Sequence, residues 1–326
     1  MEVTVLGPGA VGTLLGGLLQ IGGHHVTLVG RRDVPQPERP VRIIHPEQWL
    51  LAEGLRYARI TEAGRDKGRR ADAWLVTLGR HHLRALRRPD FAGLVEGDGP
   101  VFMFNCDPVE PQRLALPRER SRLGLTLTTA VKLQEGEVEL SASKSTLIVE
   151  KHPDCRDLFG PLGSFGFEVL EVDDALPSMS SFFLFQLLFL PVALCNLTLS
   201  SFLSAPEGRE LARDILLEGF LTMEKAGQSL SPLPVMDPRE LLGRLEKRQA
   251  SFQGNQDRPD REYNSVLQSY LRGRQLECAH LNRKLVEIAS AAGVHLVWNW
   301  RVVQKAGRVA GAGFYRNPGE LLRSLE

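Results

Sequence analysis

Cysteine is scarce in this chain: Cys106, Cys155, Cys195 and Cys278 stand far apart and form no C-x-x-C pair. That excludes a thiolate zinc site and a disulfide framework, and a reducing cytoplasm fits such usage. An excess of either charge is also lacking, because 40 basic residues meet 39 acidic ones for a net charge of +1. Acidic residues interleave with scattered arginines, so no basic stripe marks a nucleic-acid partner. Charge disappears from residues 175–206, and the apolar run over 182–203 is long enough to cross a bilayer. Gln186, Pro191, Asn196 and several serines interrupt it, and no basic flank marks a cytoplasmic side. One buried helix at the centre of a second domain explains the run better than a membrane span does. The first apolar stretch has no basic n-region before it, so no signal peptide is expected.

What is present is enough for two ordinary domains: 326 residues, 43% of them hydrophobic. The informative stretch is the first. Residues 2–6 are a short apolar-rich run with β-branched residues, as in a strand, and Gly7-Pro8-Gly9-Ala10-Val11-Gly12 follows at once with the spacing G-x-G-x-x-G. Gly7 suits a tight turn, Gly9 a close approach to a pyrophosphate, and Gly12 the packing of the next helix on the sheet. That helix is expected over 10–21, with Leu14, Leu15, Leu18 and Leu19 inward and Gly22-Gly23 as its stop. Its N-terminus presents N–H groups and the positive end of a dipole, with Ala10 and Val11 beside the ligand. Residues 25–29 form the second strand.

The residues after that strand decide between coenzymes. An enzyme that prefers NAD places a carboxylate there for the ribose 2′-hydroxyl, whereas this chain has Gly30-Arg31-Arg32. A carboxylate repels a 2′-phosphate and a guanidinium grips it with two hydrogen bonds, so the expected cofactor is NADP(H), held by Arg31 and Arg32. Further strands are expected at 41–44, 73–78 and 100–105, with a helix over 82–88; residues 79–82 and 105–107 would then face the cofactor. Alternation between 124 and 150 predicts a meander adding antiparallel strands to the sheet edge, and 167–170 a last strand. Helices follow over 210–227, 240–252 and 275–292. The fold class is therefore α/β: a Rossmann-type NADP-binding N-terminal domain over 1–174 and an all-helical C-terminal domain over 175–326.

In their order and spacing these pieces resemble the ketopantoate reductase (2-dehydropantoate 2-reductase) family over nearly the whole chain. The glycine turn, the strand running into Arg31, Phe104-Asn105, Thr128-Thr129 and Glu135-Gly136-Glu137-Val138 each resemble a family piece. So does the block Gln268 to Glu277 followed by Leu281-Asn282, with Ser265 ahead of it and Asn299 near an asparagine after the last helix. The resemblance implies NADPH-dependent reduction of a small 2-oxo acid or related carbonyl in pantothenate biosynthesis. It makes Glu277 the carboxylate beside the catalytic group, Ser265 a ligand of the substrate carboxylate, and Asn105 a contact to cofactor and substrate. The second domain would bind that small-molecule substrate and, if the chain pairs, form a homodimer.

One family feature is missing. Matching the family's Leu-Thr pair to Leu197-Thr198 puts Leu187 at its catalytic lysine and Pro191 and Cys195 at its two asparagines; a shift of one recovers Asn196 but no lysine. An ammonium stabilises the oxyanion that forms on hydride delivery and donates the proton, and leucine does neither. His81, His82 and Lys132 are candidate replacements, each with the blander reading of a surface side chain. The alternative reading is a catalytically impaired relative that binds nucleotide or regulates.

Overall fold

The computed structural model describes residues 1–30, 38–59, 71–78, 95, 98–104, 119–140, 142, 144–235, 237–247, 277–309 and 315–326. The chain divides into two compact units, Met1–Met179 and Ser180–Glu326.

The first unit is built on an eight-stranded sheet. Its first strand, β1 (Glu2–Leu6), lies between β2 (His25–Gly30) and β6 (Ala73–Val76), parallel to both. Beyond β2 comes β5 (Arg56–Arg59); beyond β6 come β7 (Val101–Phe104), β8 (Ser121–Leu127), β11 (Ser145–Glu150) and β12 (Phe167–Val172). The six strands from β5 to β8 are parallel, in the order 3-2-1-4-5-6 of the doubly wound dinucleotide fold. Central strands of such a sheet are covered on both faces, which is why Ala73–Val76 and Val101–Phe104 are buried at every position.

A smaller sheet carries the rest of the expected meander. Strands β3 (Val41–Ile44), β4 (Trp49–Ala52), β9 (Ala130–Gln134) and β10 (Glu137–Leu140) pair in the order β4-β3-β10-β9. The expectation of antiparallel additions at the edge of the main sheet therefore holds for β11 against β8, while β9 and β10 belong elsewhere. Strand β10 finds its partner in β3, far back in the sequence, and pairs with it in parallel.

Between the two sheets runs α1 (Ala10–Ile21). A helix with one wet side needs one apolar stripe; α1 is buried from Gly12 through Leu19 without interruption. Its adjacent glycines point to different sheets. A Cβ on Gly16 would lie 2.6 Å from Leu28 Cδ2 on β2, and one on Gly17 would lie 2.9 Å from Ile43 Cδ1 on β3. A short helix, α2 (Cys155–Phe159), follows β11, and Phe159 stacks edge-on against Phe102 with ring centroids 5.0 Å apart.

Helices are the only regular elements among the described residues of the second unit. The uncharged run is not one helix. It forms α3 (Leu176–Gln186), which begins in the first unit, then α4 (Phe189–Leu194) and α5 (Leu199–Ser204). Proline breaks it: Pro191 has no N–H for the Leu187 carbonyl one turn back, and Asn196 ends α4 with a positive φ of 51°. The stretch Leu176–Leu194 is long and apolar enough for a membrane by composition, and 78% of it is buried inside the protein. Helices α6 (Pro206–Lys225), α7 (Pro238–Glu246), α8 (Glu277–Ala291), α9 (Trp298–Val309) and α10 (Pro318–Leu325) complete the unit. Asn299 does follow the helix expected over 275–292, but it opens α9, and neither α9 nor α10 was expected from the sequence.

Candidate active site

The glycine turn leaves β1 at the point where the strand order reverses, the place where open parallel sheets bind ligands. Gly7 takes a φ of 96°, a conformation that suits glycine alone. Its N–H donates to Val29 O at 3.0 Å, and its carbonyl accepts from Gly9 N at 2.7 Å and from Thr77 Oγ1 at 2.8 Å. Thr13, buried on α1, closes the other side: its N–H donates to Gly9 O at 2.9 Å and its hydroxyl to Pro8 O at 3.2 Å. The turn is held from β2, β6 and α1 together.

Its last two glycines play different parts. A Cβ on Gly12 would sit 2.3 Å from both Gly7 O and Thr77 Oγ1, so the protein itself demands a bare Cα there. Gly9 is exposed with an extended backbone, and a Cβ on it would meet nothing nearer than Gly7 O at 4.0 Å. Among the described residues nothing fills that space. Among the described residues no side chain caps α1 at Gly9; no acidic residue stands in its first turn, and Ala10 and Val11 are half-buried. An uncapped helix start with room in front of it is suited to a phosphate group.

A second polar cluster lies within the helical unit. The Asn282 side-chain amide, 0% exposed, donates to Leu187 O at 3.2 Å and to Asn299 Oδ1 at 2.8 Å. Asn299 donates in turn to Ile215 O at 3.2 Å and to Glu218 Oε2 at 2.9 Å. Glu218 also accepts the backbone N–H groups of Val297, Trp298 and Asn299 at 2.6–2.8 Å, so the start of α9 already holds a carboxylate. Leu187 is fully buried, as are Pro191 and Cys195, and burial, with the Glu320 charge second, pushes the Cys195 thiol up to about 12. A thiol held there stays protonated near neutrality.

The two patterns described as "Ketopantoate reductase PanE/ApbA" and "Ketopantoate reductase PanE/ApbA C terminal" match residues 3–153 and 185–309. The chain belongs to the ketopantoate reductase family. Solved structures agree in fold. The PanE/ApbA family ketopantoate reductase from Ralstonia eutropha JMP134 is 18% identical, with a TM-score of 0.76 over 95% of this chain and 98% of its own. A D-mandelate dehydrogenase, in a ternary structure with NADH and anilino(oxo)acetate, is 16% identical with a TM-score of 0.77 over 95% and 98%. The 2-dehydropantoate 2-reductase from Geobacter metallireducens GS-15 is 18% identical with a TM-score of 0.75 over 95% and 100%. No curated protein sequence matches the chain.

Of the site residues expected for a family member, the structure gathers Gly7, Gly9, Ala10, Val11 and Gly12 at the turn. Arg31, Arg32, His81, His82, Asn105 and Ser265 lie outside the described residues, as does the expected helix over 82–88. Glu277 opens α8, and its side chain is outside the description. The sequence reading missed Thr13 and Thr77, whose hydroxyls fasten the turn. It also missed the seat of Lys132, whose Nζ donates to Pro8 O at 2.9 Å. The available signal for Thr77 was a hydroxyl directly after a buried strand; for Lys132 there was none.

Proposed function

We propose that the chain binds NADP(H) at the glycine turn and reduces a small 2-oxo acid or related carbonyl. The observation that carries the reading is the space that the described residues leave before Gly9, at a start of α1 that none of them caps. The N–H groups at that start bind the pyrophosphate, and Arg31 and Arg32, following β2, hold the 2′-phosphate. Bound dinucleotide supplies the hydride. Asn105 follows the buried strand β7 and orients the coenzyme and the carbonyl; Ser265 binds the substrate carboxylate, and Glu277 stands beside the reacting group. These three roles rest on the family resemblance. The coenzyme of the D-mandelate dehydrogenase structure, NADH, supports a nicotinamide dinucleotide and leaves the 2′-phosphate to the arginines. Calorimetric titration with NADPH and NADH, followed by NADPH oxidation across a panel of 2-oxo acids, tests the two halves separately. Tighter NADPH binding with turnover is the expected result.

A second reading, a relative that binds nucleotide without turnover, is favoured by Leu187. At the position matched to the family's lysine it offers an apolar side chain with no proton to give, 0% exposed among other apolar residues. NADPH binding without oxidation by any 2-oxo acid would select this reading.

A further inference from the structure

Lys132 is placed where a surface lysine has little reason to be. It stands on β9 of the small sheet, only 16% of its side chain is exposed, and its ammonium reaches the middle of the glycine turn. There it donates to Pro8 O and to Glu135 Oε2, each at 2.9 Å. The Pro8 carbonyl already accepts the buried Thr13 hydroxyl, so a cation is not needed to satisfy it. What the ammonium adds is charge. Pro8 also lies against the end of β2, where a Cβ on Gly30 would come 3.1 Å from Pro8 Cγ. The charge therefore sits beside a helix start that favours anions and next to the strand whose continuation carries Arg31 and Arg32.

Its counter-ion among the described residues, Glu135, is suited to exchange. Glu135 is 54% exposed and sits in the short turn between β9 and β10. An ion pair whose carboxylate stands in solvent gains less than one with a phosphate oxygen held also by backbone N–H groups, which makes a stronger partner for the same ammonium.

We propose that Lys132 is a phosphate-binding residue of the dinucleotide seat, held at the turn by Pro8 O and exchanging the Glu135 carboxylate for a phosphate oxygen of the coenzyme. This rests on the reading of the glycine turn as a dinucleotide site. Two phosphates of the coenzyme share the required chemistry, the pyrophosphate and the ribose 2′-phosphate.

The test is calorimetric titration of the full chain with NADPH and with NADH, for the unaltered protein and for Lys132→Gln, Lys132→Arg and Glu135→Gln. Glutamine keeps a donor for Pro8 O and loses the charge, so a purely structural pin survives Lys132→Gln. The expected result is a loss of about tenfold in affinity for Lys132→Gln, the size of one charge-assisted hydrogen bond, with Lys132→Arg within about threefold of the unaltered chain. Loss with both coenzymes assigns the pyrophosphate; loss with NADPH alone assigns the 2′-phosphate; both support the proposal. Unchanged affinity in Lys132→Gln overturns it while leaving the seat intact, and absence of heat from the unaltered chain with either coenzyme overturns the seat as well. Glu135→Gln, which leaves the turn and the lysine in place, gives an independent arm. Removing the competing carboxylate tightens binding if the exchange operates, and unchanged or weaker binding sinks it.

Discussion

The carbonyl of Leu187 and the side-chain amide of Asn282 meet at 3.2 Å across 95 residues of sequence, because Pro191 cannot supply the N–H that a continuous helix would. The next carbonyl keeps its helical partner, Val192 N donating to Leu188 O at 3.3 Å. Replacing Asn282 with leucine leaves the Leu187 carbonyl and Asn299 Oδ1 buried without donors. A loss of about 2–3 kcal/mol in unfolding free energy is expected from urea titration. Adding Pro191→Ala to that variant restores the missing N–H and recovers about 1 kcal/mol. Additive losses in the double variant would show that the proline and the amide are unrelated.

The two glycines of the turn separate stability from binding. Gly12→Ala drives a methyl into Gly7 O and Thr77 Oγ1, and destabilisation of about 3 kcal/mol is expected. Gly9→Ala meets no described atom nearer than 4.0 Å, so its melting temperature stays near that of the unaltered chain while affinity for NADPH is expected to fall by about tenfold or more, as a methyl takes the room proposed for the pyrophosphate. Calorimetry with scanning and titration arms reads both quantities on one sample. Equal NADPH affinity in Gly9→Ala would deny the role given to that space.

His24 gives the first unit an acid-sensitive term. The ring is buried, and desolvation, with the N-terminal ammonium second, holds its pKa below the usual 6.5 against the opposing pull of the Leu158 backbone. The native state therefore binds the proton less readily than the unfolded chain does. The sign follows: this contribution is complete above pH 6.5 and is lost as pH falls through the lowered folded value. In a series of thermal melts from pH 7.5 downward, His24→Phe should lose part of the acid slope that the unaltered chain shows. Parallel curves for the two proteins would refute this.

Glu218 ties α9 to α6 through three backbone N–H groups and the Asn299 amide. Glu218→Ala strips the start of α9 of all its carboxylate bonds and orphans a buried amide hydrogen. A cost of about 2–3 kcal/mol is expected, with Glu218→Gln losing less because its one carbonyl oxygen still accepts. Denaturant titration distinguishes the two variants.

Local patterns were legible in the sequence and distant ones were not. The glycine spacing, the helix over Ala10–Ile21 and the buried strands β6 and β7 are written in adjacent residues, and each stands where expected. Strands β9 and β10 were readable as strands but not as members of a separate sheet, because that depends on β3, and nothing near Val138 names Ile43 as its partner. The apolar run over 182–203 read as one helix since hydrophobicity dominated the pattern, although Pro191 carried the warning. Lys132 looked like any exposed lysine from its neighbours, and only a contact across 124 residues gives it a seat. In this chain the site is assembled by contacts whose cause lies far off in sequence.

Because α1 is gripped by β-structure on both flanks, through Gly16 against Leu28 and Gly17 against Ile43, its leading end is fixed in direction before any ligand arrives. If the turn seats the coenzyme as proposed, its capture consumes little ordering entropy, and binding strength should track the chemistry of the anion more than any ordering of the turn. A seat of this kind also tolerates change in the surrounding residues: the groove is aimed by glycine contacts behind the helix, out of reach of whatever alters the chemistry in front.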